Sequence, residues 1–182
     1  MAPRPLKAAV TLAMAAAFSL AALPAHAAPD PDPSVWNDLS KTYDATAKYG
    51  YEAFAPKGGF ARTDVCVADP KQGGMGYHYV NSANINSLDP AKPAALLYAD
   101  AFKDEYADVD EFSEGRKLVA VEWIVKSTGQ AAPTLFGQKF QGPDFYPEPL
   151  NGNYFTLHAW IYKPNESGLF APWNPEVACP KA

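Results

Sequence analysis

The first strong pattern in the chain is an uncharged apolar run near the N-terminus. It extends over about 16 residues from Ala8 to Leu23 and follows two basic residues, Arg4 and Lys7. Ala25 and Ala27 then place small residues at the two positions that a signal peptidase reads. A membrane-spanning helix needs ~20 apolar residues, so an uncleaved anchor is the less favoured alternative. We expect residues 1–27 to be a signal peptide and the mature protein to be secreted or periplasmic.

Beyond this run, apolar positions recur with helical spacing. The segment Ala28–Pro33 alternates Pro and Asp and predicts a disordered lead. Ser34 is a favourable N-cap, and Gly50 suits the end of a helix. We therefore predict a helix from about Val35 to Tyr49, at the start of a single domain over residues 34–182. The positions that share its apolar face are Val35, Leu39, Tyr43, Ala47 and Tyr51.

After the helix the pattern changes to short apolar and β-branched segments, which are typical of strands. Leu118–Val125 is the strongest of them. One helix followed by several strands predicts an α+β fold, in which the N-terminal helix packs on a small antiparallel sheet with long loops. The predicted strands are Gly76–Asn81, Ala95–Tyr98, Leu118–Val125 and Tyr154–Tyr162.

Three segments between these elements predict loops. Pro56–Gly74 lies between the helix and the first strand and contains Cys66. Ala101–Gly115 is acidic, and Gly129–Gly152 contains four prolines. Proline cannot donate a ladder hydrogen bond, so a proline-rich segment is unfavourable for a central strand.

Cleavage after Ala27 changes the charge of the protein. Arg4 and Lys7 leave with the signal peptide, so 13 basic residues remain against 20 acidic ones, a net charge of −7 on 155 residues. This length fits one domain with one core. An acidic chain is a poor partner for nucleic acids and for anionic membranes, so we expect neither as a partner of the mature protein.

Both cysteines, Cys66 and Cys179, lie in the mature chain. An even number of cysteines in an exported protein favours a disulfide. Two free thiols, buried or ligating a metal, are the alternative. A bond between the two would close most of the domain into one covalent loop.

The predicted strand Leu118–Val125 carries one polar residue among apolar ones. Side chains alternate between the faces of a strand, so Glu122 shares a face with Leu118, Ala120 and Ile124. A carboxylate buried there needs a cation, hydrogen-bond donors or a metal, and otherwise keeps its proton. Exposure of Glu122 at a sheet edge is the alternative.

The two histidines of the mature chain lie on other predicted strands. His158 shares a face with Tyr154, Thr156 and Trp160, which are amphipathic or aromatic. His78 shares a face with glycines that either leave room for a ligand or allow close approach of the backbone. If the strands pair with these faces aligned, His78, Glu122 and His158 converge.

Two imidazoles and one carboxylate suit a divalent transition metal such as copper or zinc better than calcium, which prefers oxygen ligands. The same three groups could carry acid–base chemistry, or a hydrogen-bonded structural role. For a metal we expect affinity to fall below pH ~6.5, where protons compete for imidazole. The candidate ligand-pocket residues around the group are Tyr77, Tyr79, Thr156 and Trp160, with Gly74 and Gly76 as its floor.

Five segments together resemble a family of small exported bacterial proteins of unassigned function. The resemblance covers nearly all of the mature chain and implies that Met75, Tyr77, His78, Asn81, Glu122 and His158 are motif positions. The segments are Gly73–Asn81, Leu118–Trp123, Pro133–Gly137, Leu157–Trp160, and Pro164–Pro175 followed by Cys179.

A small secreted hydrolase is the second functional hypothesis. The order Tyr77-His78-Tyr79, Glu122, His158 is similar to the Tyr, His, Glu and His order of guanyl-specific microbial ribonucleases. The arginine of that family has no counterpart here, since only Lys126 and Lys139 lie between Glu122 and His158. A phosphate transition state favours a bidentate arginine. A structural or interaction module without a site is the third hypothesis, and no nucleotide, zinc-finger or nucleophile-elbow motif occurs.

Overall fold

The computed structural model describes residues 32–100, 115–146 and 150–180. The predicted signal peptide, residues 28–31 of the predicted lead and residues 101–114 of the predicted acidic loop therefore lie outside the described residues. No helix within the described ranges is long and apolar enough to cross a membrane.

Helix α1 (Pro33–Thr46) continues as a 3-10 turn over Ala47–Gly50, close to the predicted end. Its N-cap is Asp32 rather than Ser34, because Asp32 Oδ1 accepts a hydrogen bond of 2.8 Å from the Ser34 backbone nitrogen. Pro33 then occupies the first helical position, where its missing N–H costs nothing. Two residues assigned to the lead therefore belong to the start of the helix.

Six strands form one curled antiparallel sheet: β1 (Cys66–Asp69), β2 (Gly73–Val80), β3 (Ala95–Asp100), β4 (Arg116–Lys126), β7 (Gln141–Tyr146) and β8 (Gly152–Ala159). Their order across the sheet is β1-β2-β3-β4-β8-β7, so the predicted α+β class is confirmed. All four predicted strands are present. The last one ends at Ala159 rather than Tyr162, because the Trp160 nitrogen donates to Leu169 O in a following loop.

Two of the predicted loops contain regular structure, which corrects that prediction. The segment Pro56–Gly74 includes the end of a short helix α2 (Phe54–Lys57) and all of β1. The segment Gly129–Gly152 includes a hairpin of β5 (Thr134–Leu135) and β6 (Gln138–Lys139), and then β7. Strand β7 tolerates Pro143 because it is an edge strand with an irregular register at this point.

The central strands β3, β4 and β8 are buried on both faces. Helix α1 and the residues after it cover one face and form the helix-side core, which includes Leu39, Tyr49, Tyr79, Tyr98, Trp123 and Leu157. The opposite face forms the site-side core, which includes Ala95, Leu97, Ala120, Ile124, Tyr154, Trp160 and Val177.

Two extra residues break the side-chain alternation. In β2 the register shifts between Gly74 and Gly76, which leaves Met75 unpaired. In β4 it shifts between Leu118 and Ala120, so Val119 joins the site-side core and Leu118 joins the helix-side core. The predicted faces of Leu118 and Val119 are therefore wrong, because a bulge inserts one residue into one strand only.

The glycines of β2 allow close backbone contact and do not line the cavity beside His78. A Cβ at Gly76, where φ is +90°, would lie 2.3 Å from Tyr98 O. A Cβ at Gly74 would lie 2.7 Å from Val177 O, next to the C-terminal segment. The sequence left two roles open for these glycines, room for a ligand or close approach of the backbone. The structure supports the close approach of the backbone.

Cys66 and Cys179 form a disulfide across 113 positions of sequence, as predicted. The bond ties the C-terminal segment to the edge strand β1. The covalent loop that this bond closes contains all three candidate ligands, His78, Glu122 and His158.

Candidate metal centre

The register of the sheet brings Glu122 and His158 directly opposite each other. β4 and β8 are neighbours, and Glu122 pairs with His158 in their antiparallel ladder. Opposed side chains in such a ladder have Cβ atoms only ~5 Å apart. The carboxyl group and the imidazole therefore meet without any bend in the chain.

His78 reaches the same point across an intervening strand. β2 and β4 flank β3, so their backbones are separated by about 10 Å, twice the usual strand spacing. The residue of β3 that pairs with Glu122 is Ala95. His78 pairs with the next-but-one residue of β3, Leu97. The side chains of His78 and Glu122 therefore meet diagonally across β3, at a separation of 3.6 Å.

The three side chains form a compact group. Nε2 of His78 lies 3.6 Å from Glu122 Oε2, and Nε2 of His158 lies 3.6 Å from Glu122 Oε1. One ligand atom from each residue lies within 4.8 Å of the others. Two atoms bound to one ion at ~2.1 Å are about 3.4 Å apart in a tetrahedral site, and both 3.6 Å separations are close to this value. They end on different oxygens of Glu122, so a shared ion requires the side chains to close in from the present limit of 4.8 Å.

The group is buried and its polar atoms are unpaired. Glu122 and His158 are fully buried, and the His78 side chain is 15% exposed. Within the described part of the chain, five of its atoms have no hydrogen-bond partner: Oε1 and Oε2 of Glu122, Nδ1 and Nε2 of His158, and Nδ1 of His78. Buried polar groups are nearly always satisfied, and a distance of 3.6 Å is too long for a hydrogen bond. The structure therefore does not support a hydrogen-bonded structural triad.

Burial shifts the pKa of every member toward its uncharged form. Desolvation raises the pKa of Glu122 to about 8. It lowers the pKa of His78 to about 4, with the Gly76 backbone acting in the opposite direction. The pKa of His158 falls to about 3, through burial and then through the nearby His78. Without a cation the group is thus two neutral imidazoles around a protonated carboxyl.

Neutral imidazole is the form that binds a metal. Metal-ligating histidines usually donate their second ring nitrogen to a carbonyl or carboxylate, and loss of such support costs 10–100-fold in affinity. Nδ1 of His158 has no such partner among the residues that the structure describes, whereas the ring of His78 lies close enough to the Gly76 backbone for a hydrogen bond to raise its pKa. We therefore expect a weaker site than one in which both rings are oriented by hydrogen bonds.

A cavity of about 170 Å³ adjoins His78 and Glu122 on the concave face of the sheet. Strands from both edges of the curled sheet contribute to its wall, β1 on one side and β7 on the other. The remaining lining residues are Thr63, Val65, Val67, Met75, Val80, Ile124, Tyr146 and Leu150.

This cavity differs from the predicted ligand pocket, because none of the four residues predicted to line that pocket lines it. Tyr77 and Tyr79 lie on the other face of β2, in the helix-side core, because alternation sends them away from His78. Thr156 and Trp160 are on the site side of the sheet, but both side chains are buried and neither lines the cavity. Thr156 instead contacts the Tyr146 hydroxyl at 3.4 Å, and Trp160 Nε1 donates to Ala171 O at 2.6 Å.

Sequence reasoning missed the aliphatic wall and Tyr146. Val65, Val67 and Tyr146 belong to segments that were predicted as loops, and Met75 reaches the cavity only through the bulge in β2. The alternation of Val65 and Val67 around Cys66 was an available signal for the edge strand, although four residues are too few to be decisive.

The cavity lacks the cation that a phosphate substrate needs. Among its described lining residues there is no lysine or arginine. Arg116 lies instead on the helix side, stacked 3.4 Å above the Tyr77 ring and bonded to Asp64 at 2.9 Å. The geometry therefore does not favour the ribonuclease-like alternative.

No protein-family model, no curated protein and no solved structure matches this chain. The argument for function consequently depends on the geometry and the chemistry of the site.

Proposed function

We propose that the protein is an exported domain that binds one divalent transition-metal ion through His78, Glu122 and His158. The observation that carries the proposal is that three buried, unpaired atoms, both oxygens of Glu122 and Nε2 of His158, lie together with Nε2 of His78. A buried carboxyl group without a donor is unfavourable. An ion between the three groups would satisfy the ligating nitrogens and the carboxylate together.

The donor set favours zinc or copper. Imidazole nitrogen suits zinc, copper, iron and nickel, whereas magnesium and calcium prefer oxygen ligands. Copper and zinc stand at the high-affinity end of the order for divalent first-row metals. Elemental analysis of the protein purified from its native exported compartment would identify which of them is present.

Metal titration of the mature protein tests the proposal. We expect one ion per chain by calorimetry, and at least a tenfold loss of affinity in His158→Ala and in Glu122→Gln. Glu166→Gln is the matched control, since Glu166 is exposed and belongs neither to the three-residue group nor to the cavity wall. Circular dichroism would verify that each variant is folded. Unchanged affinity in His158→Ala would exclude His158 as a ligand and contradict the proposal.

Export is the second component of the proposal and is supported by the N-terminal pattern and the disulfide, which is typical of oxidising compartments. The resemblance to small exported bacterial proteins is in keeping with it. N-terminal sequencing of the protein recovered outside the cytoplasm should begin at Ala28. A chain that retains Met1 in the membrane fraction would contradict it.

A further inference from the structure

The three proposed ligands leave part of the coordination shell open. A tetrahedral ion takes four donors, and only three come from the group that the described residues bring together. His78 and Glu122 line the cavity, whereas His158 is fully buried behind them. The open position therefore faces the cavity.

The cavity wall is almost entirely hydrocarbon. Its aliphatic residues are Val65, Val67, Met75, Val80, Ile124 and Leu150. Thr63 and Tyr146 are the other polar residues in the lining, besides the two ligands. Such a wall binds a compact apolar body better than a sugar or a nucleotide, which would lose hydrogen bonds to water.

Size and charge restrict the occupant further. The volume of about 170 Å³ is close to the ~150 Å³ of an apolar cavity that accommodates benzene. A divalent ion on one carboxylate and two neutral imidazoles leaves a net charge of about +1 in a buried setting. No other acidic side chain lines the described cavity, so an anionic group on the ion would neutralise it.

We infer that the site takes a compact apolar monocarboxylate of about the size of benzoate. Its carboxylate would complete the metal coordination and its hydrocarbon part would fill the cavity between β1 and β7. This inference rests on the proposed metal site.

Cobalt(II) provides a spectroscopic test, because its visible spectrum responds to a change in ligands. The mature protein is loaded with cobalt and titrated with benzoate, acetate and benzamide. We expect benzoate to change the spectrum with 1:1 saturation. Acetate should bind at least tenfold more weakly because it lacks the ring, and benzamide should cause no change because it lacks the anion.

A variant that fills the cavity separates ligand binding from metal binding. Val67→Trp should keep the cobalt spectrum and lose at least tenfold in benzoate affinity. Val65→Trp, at an exposed position of the same wall, is the second variant if the first does not fold. Leu88→Trp is the control, since Leu88 is exposed outside the cavity, and it should bind benzoate like the wild type.

The two proposals fail in different ways. A normal cobalt spectrum that does not respond to benzoate, or that responds equally to acetate, overturns the inference and leaves the metal site intact. Absence of any cobalt spectrum from the folded protein overturns the proposed function and this inference with it.

Discussion

At the scale of single residues, Glu122 determines the behaviour of the site. Its carboxyl group is fully buried and its pKa is raised to about 8 by desolvation. In the metal-free protein at neutral pH this group therefore holds a proton, and a bound metal ion would replace that proton. The titratable groups beside the carboxyl group are the two histidines, each with Nε2 at 3.6 Å from a Glu122 oxygen. Their own pKa values are lowered.

The raised pKa makes the stability of the metal-free protein dependent on pH. A group whose pKa is higher in the folded state stabilises it fully below the unfolded value of 4.5, and this contribution is lost as pH rises through about 8. We expect the free energy of unfolding of the wild type, relative to Glu122→Gln, to fall by at least ~1.4 kcal/mol over that range. Urea titrations in a chelator would measure it. A difference that stays flat between pH 4.5 and 8 would show that Glu122 is not desolvated.

The same residue should control how metal affinity depends on pH. The histidines, with pKa values lowered to about 4 and 3, stay neutral in weak acid, so Glu122 replaces imidazole as the main site of proton competition. We expect affinity to rise up to tenfold per pH unit from pH 5 to about 8 and then to level off. Calorimetry in buffers of different ionisation enthalpy would report the released proton. A plateau already reached at pH 6.5 would point to histidine titration instead.

At the scale of the elements, alternation predicted the site correctly where the strands are regular. Glu122 and His158 lie in uninterrupted stretches of β4 and β8, and both face the site as the pattern indicated. The pattern was wrong at Leu118 and Val119 because nothing in an apolar run marks which residue is extra. It also missed the edge strand β7, because Gly142 and Pro143 within it are residues that strands disfavour.

Strand β2 depends on Gly76 for its bulge. An alanine there would combine a positive φ of +90° with a Cβ placed 2.3 Å from Tyr98 O, so strand β3 would have to move. We expect Gly76→Ala to lower the free energy of unfolding by about 2–4 kcal/mol. Gly50→Ala is the control, because no atom lies within 4 Å of its added Cβ and its φ is not positive. Chemical denaturation of both variants would compare them, and equal stability would contradict the close approach of the two strands.

At the scale of the whole molecule, the three ligands converge because of the strand order, which the pattern of apolar and polar residues does not reveal. His78 and Glu122 meet only because β3 lies between their strands with a register that pairs His78 with Leu97 and Glu122 with Ala95. The curl of the sheet then brings Val67 of β1 and Tyr146 of β7 to one cavity. The pattern supplied candidate ligands and their faces, while strand order and register depend on long-range pairing.

The disulfide is the covalent element of this architecture. It joins Cys66 at the start of β1 to Cys179 and closes 113 positions of sequence. Replacing both cysteines with alanine should lower the free energy of unfolding by ~2–5 kcal/mol, because the unfolded chain gains conformational freedom. Metal affinity should persist in the folded variant, since the three ligands lie on β2, β4 and β8. A loss below ~1 kcal/mol in urea unfolding would show that the bond contributes little.

The central claim is that one metal ion lies between His78, Glu122 and His158, and anomalous diffraction from metal-loaded crystals tests it most directly. Data collected at the absorption edge of the bound metal should show one peak per chain. We predict this peak at ~2.0–2.2 Å from Nε2 of both histidines and from a Glu122 oxygen. A peak elsewhere, or none at this position under saturating metal, would contradict the account.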